Sequence, residues 1–139
     1  MKKRIFDNLL FDRNDLLNNT CFDLIGLYKN EIESIGYKNL NINNTRNYTA
    51  YGVKQHKIWK LIYVRTNKVV EVYYDKRGIS FEDFEFLKKY HINKAKALGL
   101  NKDTVSKYSN KYIIYLNADY ELVIDRERII VRDVKNKIV

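Results

Sequence analysis

A capped amphipathic helix between two strand-rich blocks is the feature that most constrains the fold of this chain. Ser80 precedes it, and Asp83 stands three residues later, as in a capping box that has Asp where Glu or Gln is usual. Residues suited to one buried face then recur at helical spacing at Phe84, Leu87, His91, Ala95 and Leu98. Gly99 follows, where a helix end is expected. The pattern predicts a helix over residues 81–98.

Blocks of β-branched and aromatic residues, which favour strands, flank this helix on both sides. Three runs precede it at residues 48–53, 58–65 and 69–74, and three follow it at residues 111–116, 120–124 and 128–133. Thr66-Asn67-Lys68 predicts a hairpin turn in which Asn67 adopts a positive φ. Further turns are predicted at residues 54–57, 117–119 and 125–127. The first three strands are therefore expected to form a meander.

The residues before the first strand-type run predict helices. A short amphipathic turn fits residues 6–10. A longer helix is predicted from Asn14 or Asp15 to Ile35, because apolar residues recur there every three to four positions. Gly36 stands where a C-terminal cap is expected, and a polar connector follows it.

The predicted element order is α-βββ-α-βββ. Helices and strands that are segregated in this way favour an α+β fold with an antiparallel sheet over βαβ winding. We expect a single α+β domain over residues 1–139, with N-terminal helices, an antiparallel β-meander, the central helix 81–98 and C-terminal β-strands. Asn101 is expected to cap one further helical turn within residues 102–108.

Cysteine content and hydropathy limit the compartment. The single cysteine, Cys21, excludes an internal disulfide and a cysteine-based zinc site, and a free thiol suits a reducing compartment. Its place on the apolar stripe of the first long helix favours a buried structural role over a nucleophilic one. Charged residues interrupt the segment after Met1, and no window approaches the ~18 apolar residues of a membrane span. We expect a cytoplasmic protein that has no membrane partner.

Motifs for catalysis and cofactor binding are absent from the sequence. The five glycines are scattered, which excludes the glycine-rich loops that hold phosphates, so no small-molecule cofactor is expected. His91 lies on the predicted buried face of its helix and is interpreted as a core histidine. Glu71 and Asp75 are the nearest candidates for a metal-dependent nuclease, but they form no Asp…Glu-x-Lys pattern. The sequence therefore predicts a protein that is not an enzyme and holds no metal.

Basic and aromatic residues are concentrated between residues 46 and 77, where only Glu71 and Asp75 carry negative charge. Sheet surfaces that combine cations with aromatic rings bind nucleic acids through phosphate contacts and base stacking. The candidate nucleic-acid or partner-binding residues are Arg46, Lys54, His56, Lys57, Trp59, Lys60, Tyr63, Arg65, Lys76 and Arg77. The formal net charge of +9 supports a polyanionic partner, although the abundant Lys, Asn, Ile and Tyr also fit the codon bias of an AT-rich genome.

Because a strand alternates its faces, these residues cannot all point to one side. In the run 58–65, Trp59 and Tyr63 share one face with Arg65. Lys60 shares the other face with the aliphatic residues, and that face is expected to be the core. Two further interpretations stay open, in which the aromatic residues are core and the lysines a solvated rim, or the same surface holds a protein partner.

The segment from the end of the first long helix to the third strand resembles a known kind of domain. A helix that ends in Ile-Gly is followed by a polar gap, by Arg46-Asn47-Tyr48-Thr49-Ala50-Tyr51, by a strand centred on Trp59 and by a valine-rich hairpin. Across residues 20–75 this resembles an uncharacterised small α+β domain that occurs alone or appended to restriction-related and other defence-related proteins. In outline it is similar to the double-wing DNA-binding-like fold. The resemblance implies an α+β fold and a role associated with nucleic acids or with conflict between hosts and mobile elements, and it implies no catalytic residue.

Two functions are consistent with these patterns. The first is a non-catalytic protein that binds DNA or RNA, in restriction, defence or mobile-element conflict. The second is a small phage or mobile-element protein that binds one host protein as an inhibitor or regulator.

Overall fold

A computed structural model confirms the α+β fold and describes residues 3–6, 9–41, 48–55, 58–76, 78–104 and 112–136. The N-terminal part contains strands β1 (Lys3–Phe6) and β2 (Leu9–Asp12), a 3₁₀ turn (Arg13–Leu17) and helices α1 (Cys21–Leu24) and α2 (Lys29–Ser34). The middle part contains strands β3 (Lys38–Asn39), β4 (Thr49–Gln55), β5 (Ile58–Arg65) and β6 (Lys68–Asp75). The last part contains helix α3 (Phe81–Ala97), strands β7 (Asn101–Lys102), β8 (Ile113–Leu116), β9 (Tyr120–Ile124) and β10 (Arg128–Asp133), and a 3₁₀ turn (Val134–Asn136).

Strands β3 to β10 form one antiparallel sheet in the order β3-β4-β5-β6-β10-β9-β8-β7. Each half is a meander of four consecutive strands, as predicted for β4, β5 and β6. The two meanders meet where β6 pairs with β10, with Val72 opposite Val131. Of the strand pairs in this sheet, the one whose strands are farthest apart in the sequence therefore lies at the centre.

The turns predicted at residues 66–68, 117–119 and 125–127 form as their residue types predict. Of the turn predicted at residues 54–57, Lys54 and Gln55 belong instead to β4, and residues 56 and 57 lie outside the described part of the chain. The β5–β6 turn has Thr66 at φ 50° and Asn67 at φ 68°, the left-handed pair that a two-residue hairpin of this type needs. In the C-terminal meander, the Asn117 side-chain oxygen accepts hydrogen bonds from the backbone of Asp119 and Tyr120, each 2.8 Å long. In the next turn, Asp125 Oδ1 accepts hydrogen bonds from the backbone amides of Glu127 and Arg128. These short polar side chains fold the turns locally, before any tertiary contact is needed.

Helix α3 begins and ends close to the predicted positions. Ser80 Oγ accepts a 3.2 Å hydrogen bond from the Asp83 backbone amide, so the predicted N-cap is confirmed. The Asp83 carboxylate is buried and accepts a 2.9 Å hydrogen bond from Arg13 Nε. Asp at this position thus ties the helix to the N-terminal 3₁₀ turn. At the other end, the helix ends at Ala97 and Leu98 is its C-cap. Gly99, with φ +84°, then turns the chain away from the helix.

The N-terminal prediction is wrong in two places. Where an amphipathic turn was predicted over residues 6–10, Phe6 ends β1 and Leu9 and Leu10 belong to β2, which pairs with β1. Residues 7 and 8 lie outside the described part of the chain. The helix predicted up to Ile35 is divided into α1 and α2. Cys21, Leu24 and Ile32 of its apolar stripe are buried as expected, whereas Tyr28 and Ile35 are exposed. Thr20 begins α1 through two hydrogen bonds to the Asp23 carboxylate, and the Gly26 amide donates to the Val69 carbonyl (2.9 Å). The chain therefore leaves the helix to pair with the sheet, which the helical spacing does not reveal.

A smaller correction applies after α3. Asn101 and Lys102 form the edge strand β7 and pair with Leu116 and Tyr115 of β8, where a helical cap was predicted. The predicted helical turn thus does not begin at 102, and residues 105–108 lie outside the described residues. The predicted strand 111–116 is confirmed from Ile113 onward, and residue 111 also lies outside the described part.

The two halves of the sheet begin in the same way. Gly36 after α2 has φ +105°, and the next residue, Tyr37, donates to the Ile32 carbonyl at 3.1 Å. Gly99 is followed by Leu100, which donates to the Ala95 carbonyl at 2.9 Å. In each case a glycine in the left-handed region closes the helix and turns the chain into a two-residue edge strand. A helix followed by a four-stranded meander is therefore the unit that the fold uses twice.

The hydrophobic core lies between one face of the sheet and the helices. Its buried residues come from α1 to α3, the first 3₁₀ turn and alternate positions of the strands. Cys21 is fully buried in it, as predicted. Burial raises the pKa of the Cys21 thiol, which favours its protonated form. Within the described residues, no helix is long and apolar enough to span a membrane.

Candidate nucleic-acid interface

The sheet presents its second face on the side away from the helices, and we call this the open face. Alternation along β5 places Lys60, Ile62 and Val64 on the buried side, in agreement with the sequence. Trp59, Leu61, Tyr63 and Arg65 lie on the open face and are partly exposed. The neighbouring strands add Lys54 of β4, Tyr73 of β6 and both arginines of β10, as the strand registers require.

Three tyrosines on the open face contact each other, and we call Tyr48, Tyr63 and Tyr73 the tyrosine cluster. The rings of Tyr48 and Tyr63 meet edge to face, with centroids 4.6 Å apart. The rings of Tyr63 and Tyr73 lie 5.7 Å apart, and their hydroxyl groups share a 2.9 Å hydrogen bond. Burial, with the hydrogen bond and charge of Tyr63, raises the pKa of Tyr73. The cluster is thus a partly exposed aromatic surface.

Cations stand beside this aromatic surface. Lys54 Nζ lies 5.9 Å from the centre of the Trp59 ring, within the range of a cation–π contact. Arg65 lies two positions beyond Tyr63 on the same side of β5. Trp59 is the single tryptophan of the chain, so its fluorescence reports on this face alone.

An ion-pair network crosses the centre of the open face. Arg132 of β10 donates from Nε to Glu71 of β6 and from Nη1 to Glu121 of β9, the second bond being 3.2 Å long. Burial alone would lower the pKa of Arg132, but the hydrogen bonds and charges of Glu71 and Glu121 outweigh it and raise the pKa. Glu71 is only 7% exposed. The network therefore joins three strands and fixes a carboxylate at the edge of the tyrosine cluster.

A groove follows β10 across this network. Its first part, of about 190 Å³, lies between the tyrosine cluster and β10, and its lining also includes Glu71. Its second part, of about 260 Å³, lies over β8 and β9. Arg128, Ile130 and Arg132 line both parts, so the two adjoin along β10. The first part is predominantly polar and has tyrosine rings on one side.

The structure brings together only some of the predicted binding residues. Lys54, Trp59, Tyr63 and Arg65 lie on the open face. Lys76 lies at the end of β6 towards α3, with Nζ 5.7 Å from the Phe84 ring, so it belongs to the helical side. The four predicted residues outside the described part of the chain are Arg46, His56, Lys57 and Arg77.

Lys60 requires a correction, because it is 4% exposed and faces the core. Its Nζ donates to the backbone carbonyls of Asn18 (2.7 Å) and Asn19 (3.2 Å) and lies over the Tyr74 ring. Burial lowers the pKa of Lys60 to about 8. The side chain is held inside the protein by these carbonyls, and it is therefore unavailable to phosphate on the open face.

Sequence reasoning missed the arginines of β10. Arg128 and Arg132 stand four positions apart in Arg-Ile-Ile-Val-Arg, so they share one side of the strand, and that spacing was a usable signal. Nothing in the sequence indicated that β10 would pair with β6. That pairing places Arg132 beside Glu71 and Arg128 beside Asp75, within reach of the tyrosine cluster.

Of the two carboxylates considered for a nuclease, Glu71 accepts a hydrogen bond from Arg132, and Asp75 lies opposite Arg128 in the β6–β10 register. Asp125 accepts hydrogen bonds from two turn amides and a 3.2 Å hydrogen bond from Arg128. Among the described residues, no group of three or more His, Cys, Asp or Glu side chains is arranged to hold a metal ion. His91 is fully buried in the core, as predicted, with Nδ1 2.7 Å from the Leu87 carbonyl.

Comparison with known proteins gives no relative. No protein-family model, curated protein or solved structure matches this chain. The resemblance of residues 20–75 to a defence-related domain therefore stays a prediction, and the function must be argued from the open face itself.

Proposed function

We propose that this protein binds single-stranded nucleic acid on its open face and catalyses no reaction. The observation that carries the proposal is the tyrosine cluster, which lies with Trp59 and Lys54 on the side of the sheet away from the described helices. Bases stack on aromatic rings whatever their sequence, and nearby cations attract the phosphates. Trp59 and Tyr63, four positions apart on the same side of β5, offer two stacking surfaces along one strand.

The distribution of charge supports a single strand over a duplex. Glu71 and Glu121 lie in the centre of the open face, where a duplex backbone would bring phosphates close to them. Arg132 neutralises part of their charge, and Lys54 and Arg65 carry positive charge nearer the β4–β5 side. A single strand can follow the cationic, aromatic side and place its bases towards the centre. The expected partner is thus DNA or RNA with unpaired bases.

Substitution of Tyr63 by leucine tests the stacking surface. We expect Tyr63→Leu to weaken binding of fluorescein-labelled oligodeoxythymidylate or oligouridylate of about 12 nucleotides by roughly tenfold, because one stacked base contributes about 1–3 kcal/mol. Fluorescence anisotropy measures the affinity, and quenching of Trp59 shows whether the strand lies on the open face.

Phe81→Leu is the matched control for this substitution. Phe81 is 65% exposed and begins α3, on the helical side of the sheet. Like Tyr63→Leu, the substitution Phe81→Leu replaces an aromatic ring by leucine, and we expect it to leave the affinity unchanged. Equal losses for Tyr63→Leu and Phe81→Leu would contradict the proposed location, and failure of the wild-type protein to bind either strand at low salt would overturn the proposal.

Substitution of Lys54 by glutamine tests the electrostatic part separately. Affinity is expected to fall steeply as the salt concentration rises from about 50 to about 200 mM, because each neutralised phosphate releases counterions. Lys54→Gln is expected to reduce the slope of log affinity against log salt by about one. Lys89→Gln, on the exposed side of α3, should leave the slope unaltered. A slope that is the same in all three proteins would mean that Lys54 contacts no phosphate.

A protein partner is the second candidate function, and one observation favours it. The half of the open face formed by β8 to β10 carries three aliphatic side chains, Ile114, Val123 and Ile130, beside ion-paired arginines. Tyrosines at its border are common at protein interfaces. Capture from a host lysate with nuclease added distinguishes the two functions. Loss of every partner on nuclease treatment favours nucleic acid, whereas one stoichiometric protein that survives, and is lost in Ile130→Asp, favours the inhibitor or regulator.

The biological setting is also part of the proposal. The role in restriction, defence or mobile-element conflict rests on the resemblance of residues 20–75 alone. The cytoplasmic location rests on the reduced, buried thiol of Cys21, which suits a reducing compartment.

A further inference from the structure

We propose that the groove between the tyrosine cluster and β10 is a pocket for one guanine base of the bound strand. This inference rests on the proposed function, and it adds a preference for one base to a surface that otherwise binds by stacking. The pocket is formed by the tyrosine cluster, Glu71, Arg128, Ile130 and Arg132. It joins side chains from β5, β6 and β10 and therefore exists only because the two meanders meet.

The sides of the pocket suit a flat ring. Tyr63 and Tyr73 lie side by side with their rings tilted by 33°, and Tyr48 stands edge-on to Tyr63 at 78°. Ile130 lies opposite Tyr73 in the β6–β10 register and supplies an apolar surface. The mutual hydrogen bond of Tyr63 and Tyr73 holds the two rings in place. A planar, partly polar group such as a nucleobase fits this lining better than an aliphatic or a fully charged ligand does.

The polar groups of the pocket are of two kinds and lie at its two ends. Glu71 supplies carboxylate oxygens, which only accept hydrogen bonds when ionised. Arg128 pairs in the register with Asp75, which lies four positions from Glu71 along β6. At about 3.3 Å per residue, the backbone positions of Asp75 and Glu71 are about 13 Å apart. The Arg128 side chain lines the pocket at this other end, and its guanidinium, which only donates, also gives a 3.2 Å hydrogen bond from Nη2 to Asp125. The pocket thus offers acceptors at one end and donors at the other, with an aromatic surface between them.

Guanine is the base whose edges match this arrangement. It presents two adjacent donors, N1–H and the 2-amino group, to a carboxylate, and two adjacent acceptors, O6 and N7, to an arginine. Adenine and cytosine have an amino donor beside an acceptor on the pairing edge, and thymine and uracil have one donor between two acceptors. Arg132 orients the Glu71 carboxylate through its Nε bond, so the acceptor is held in place before the base arrives.

Base substitution in the probe tests the pocket without any change to the protein. The probes are fluorescein-labelled oligodeoxythymidylate or oligouridylate, whichever binds more tightly, of about 12 nucleotides, with one central guanine, hypoxanthine or adenine. We expect the guanine probe to bind about tenfold more tightly than the unsubstituted strand, as one well-matched base contact provides. Hypoxanthine lacks the 2-amino group and should lose most of this gain, and adenine should show none.

Two protein variants locate the preference in the pocket. Glu71→Gln keeps the size of the side chain and replaces one acceptor by a donor, so it should abolish the preference for guanine over adenine and retain binding of the unsubstituted strand. Arg128→Met should reduce the same preference, and it avoids the buried ion pair if Glu71→Gln does not fold. Equal affinity for all four probes would overturn the guanine pocket and leave the proposed function standing, whereas no binding of any probe would overturn both. A guanine preference that persists in Arg128→Met and in folded Glu71→Gln would also overturn the pocket.

Discussion

Replacing Arg132 by methionine is expected to lower the free energy of unfolding by about 3 kcal/mol, because it leaves a buried carboxylate without its partner. Glu71 is 7% exposed, and Arg132 Nε is its hydrogen-bond donor. A surface ion pair would contribute far less, since solvent screens both charges. The expected loss arises mainly from the desolvated Glu71 carboxylate, and urea denaturation measures it.

Two comparisons make this result interpretable. Arg128→Met removes a more exposed arginine from the same strand, where it pairs with Asp125, and should change the free energy of unfolding by less than about 0.5 kcal/mol. The double variant Glu71→Met, Arg132→Met removes both charges and should recover most of the loss, because no buried charge remains unpaired. A double variant less stable than Arg132→Met would show that packing, and not the lone carboxylate, explains the effect.

Lowering the pH from about 6.5 to about 4 is expected to cost roughly 3 kcal/mol of stability through His91 alone. Burial lowers the pKa of His91 to about 4, with the hydrogen bond to the Leu87 carbonyl acting in the opposite direction. In the unfolded chain the pKa is about 6.5, so the unfolded state takes up the proton first as the pH falls. The stability that neutral His91 contributes is therefore fully present above pH 6.5, declines between pH 6.5 and pH 4, and is lost once the pH is below the pKa of the folded state.

His91→Leu separates this contribution from that of the carboxylates. The ring lies among Phe22, Tyr74 and Tyr90, and among the described residues its Nε2 has no hydrogen-bond partner, so an apolar side chain suits the site. The difference in unfolding free energy between wild type and variant, measured by urea denaturation at several pH values, should change by about 1.4 kcal/mol per pH unit between 6.5 and 4. A difference independent of pH would mean that His91 is protonated in the folded protein.

Local patterns were sufficient for the elements whose ends are made by their own residues. Ser80 and Gly99 mark the ends of α3, and Asn67 marks the β5–β6 turn, because caps and turns use side chains and backbone angles within a few residues. The alternation of β5 likewise separated Lys60 and Ile62 from Trp59 and Tyr63, since a strand has a period of two whatever its neighbours are.

Local patterns failed where residues far away in the sequence bind the backbone of a predicted helix or bury a charged side chain. The spacing up to Ile35 is helical, yet the Gly26 amide binds Val69 and divides the helix. Lys60 is predicted as a binding residue because of its charge, although the alternation of β5 places it on the core face. In the structure it is buried, and its Nζ donates to the carbonyls of Asn18 and Asn19. Its long side chain and two acceptors compensate its burial, and those acceptors lie about forty residues earlier in the chain, beyond any sequence window.

The α+β class, the central helix, most of the turns and the aromatic, basic character of β4 to β6 follow from the amino-acid sequence, because they depend on composition and short spacing. Which of the basic residues share the open face with the aromatic rings depends on how the strands pair. The pairing of β6 with β10 brings Arg128 and Arg132 to Tyr73 and Glu71 across more than fifty residues of chain. Hydrogen bonds between strand backbones are the same for every residue type, so they do not select which strands pair. The pairing follows from how the whole sheet buries its apolar side.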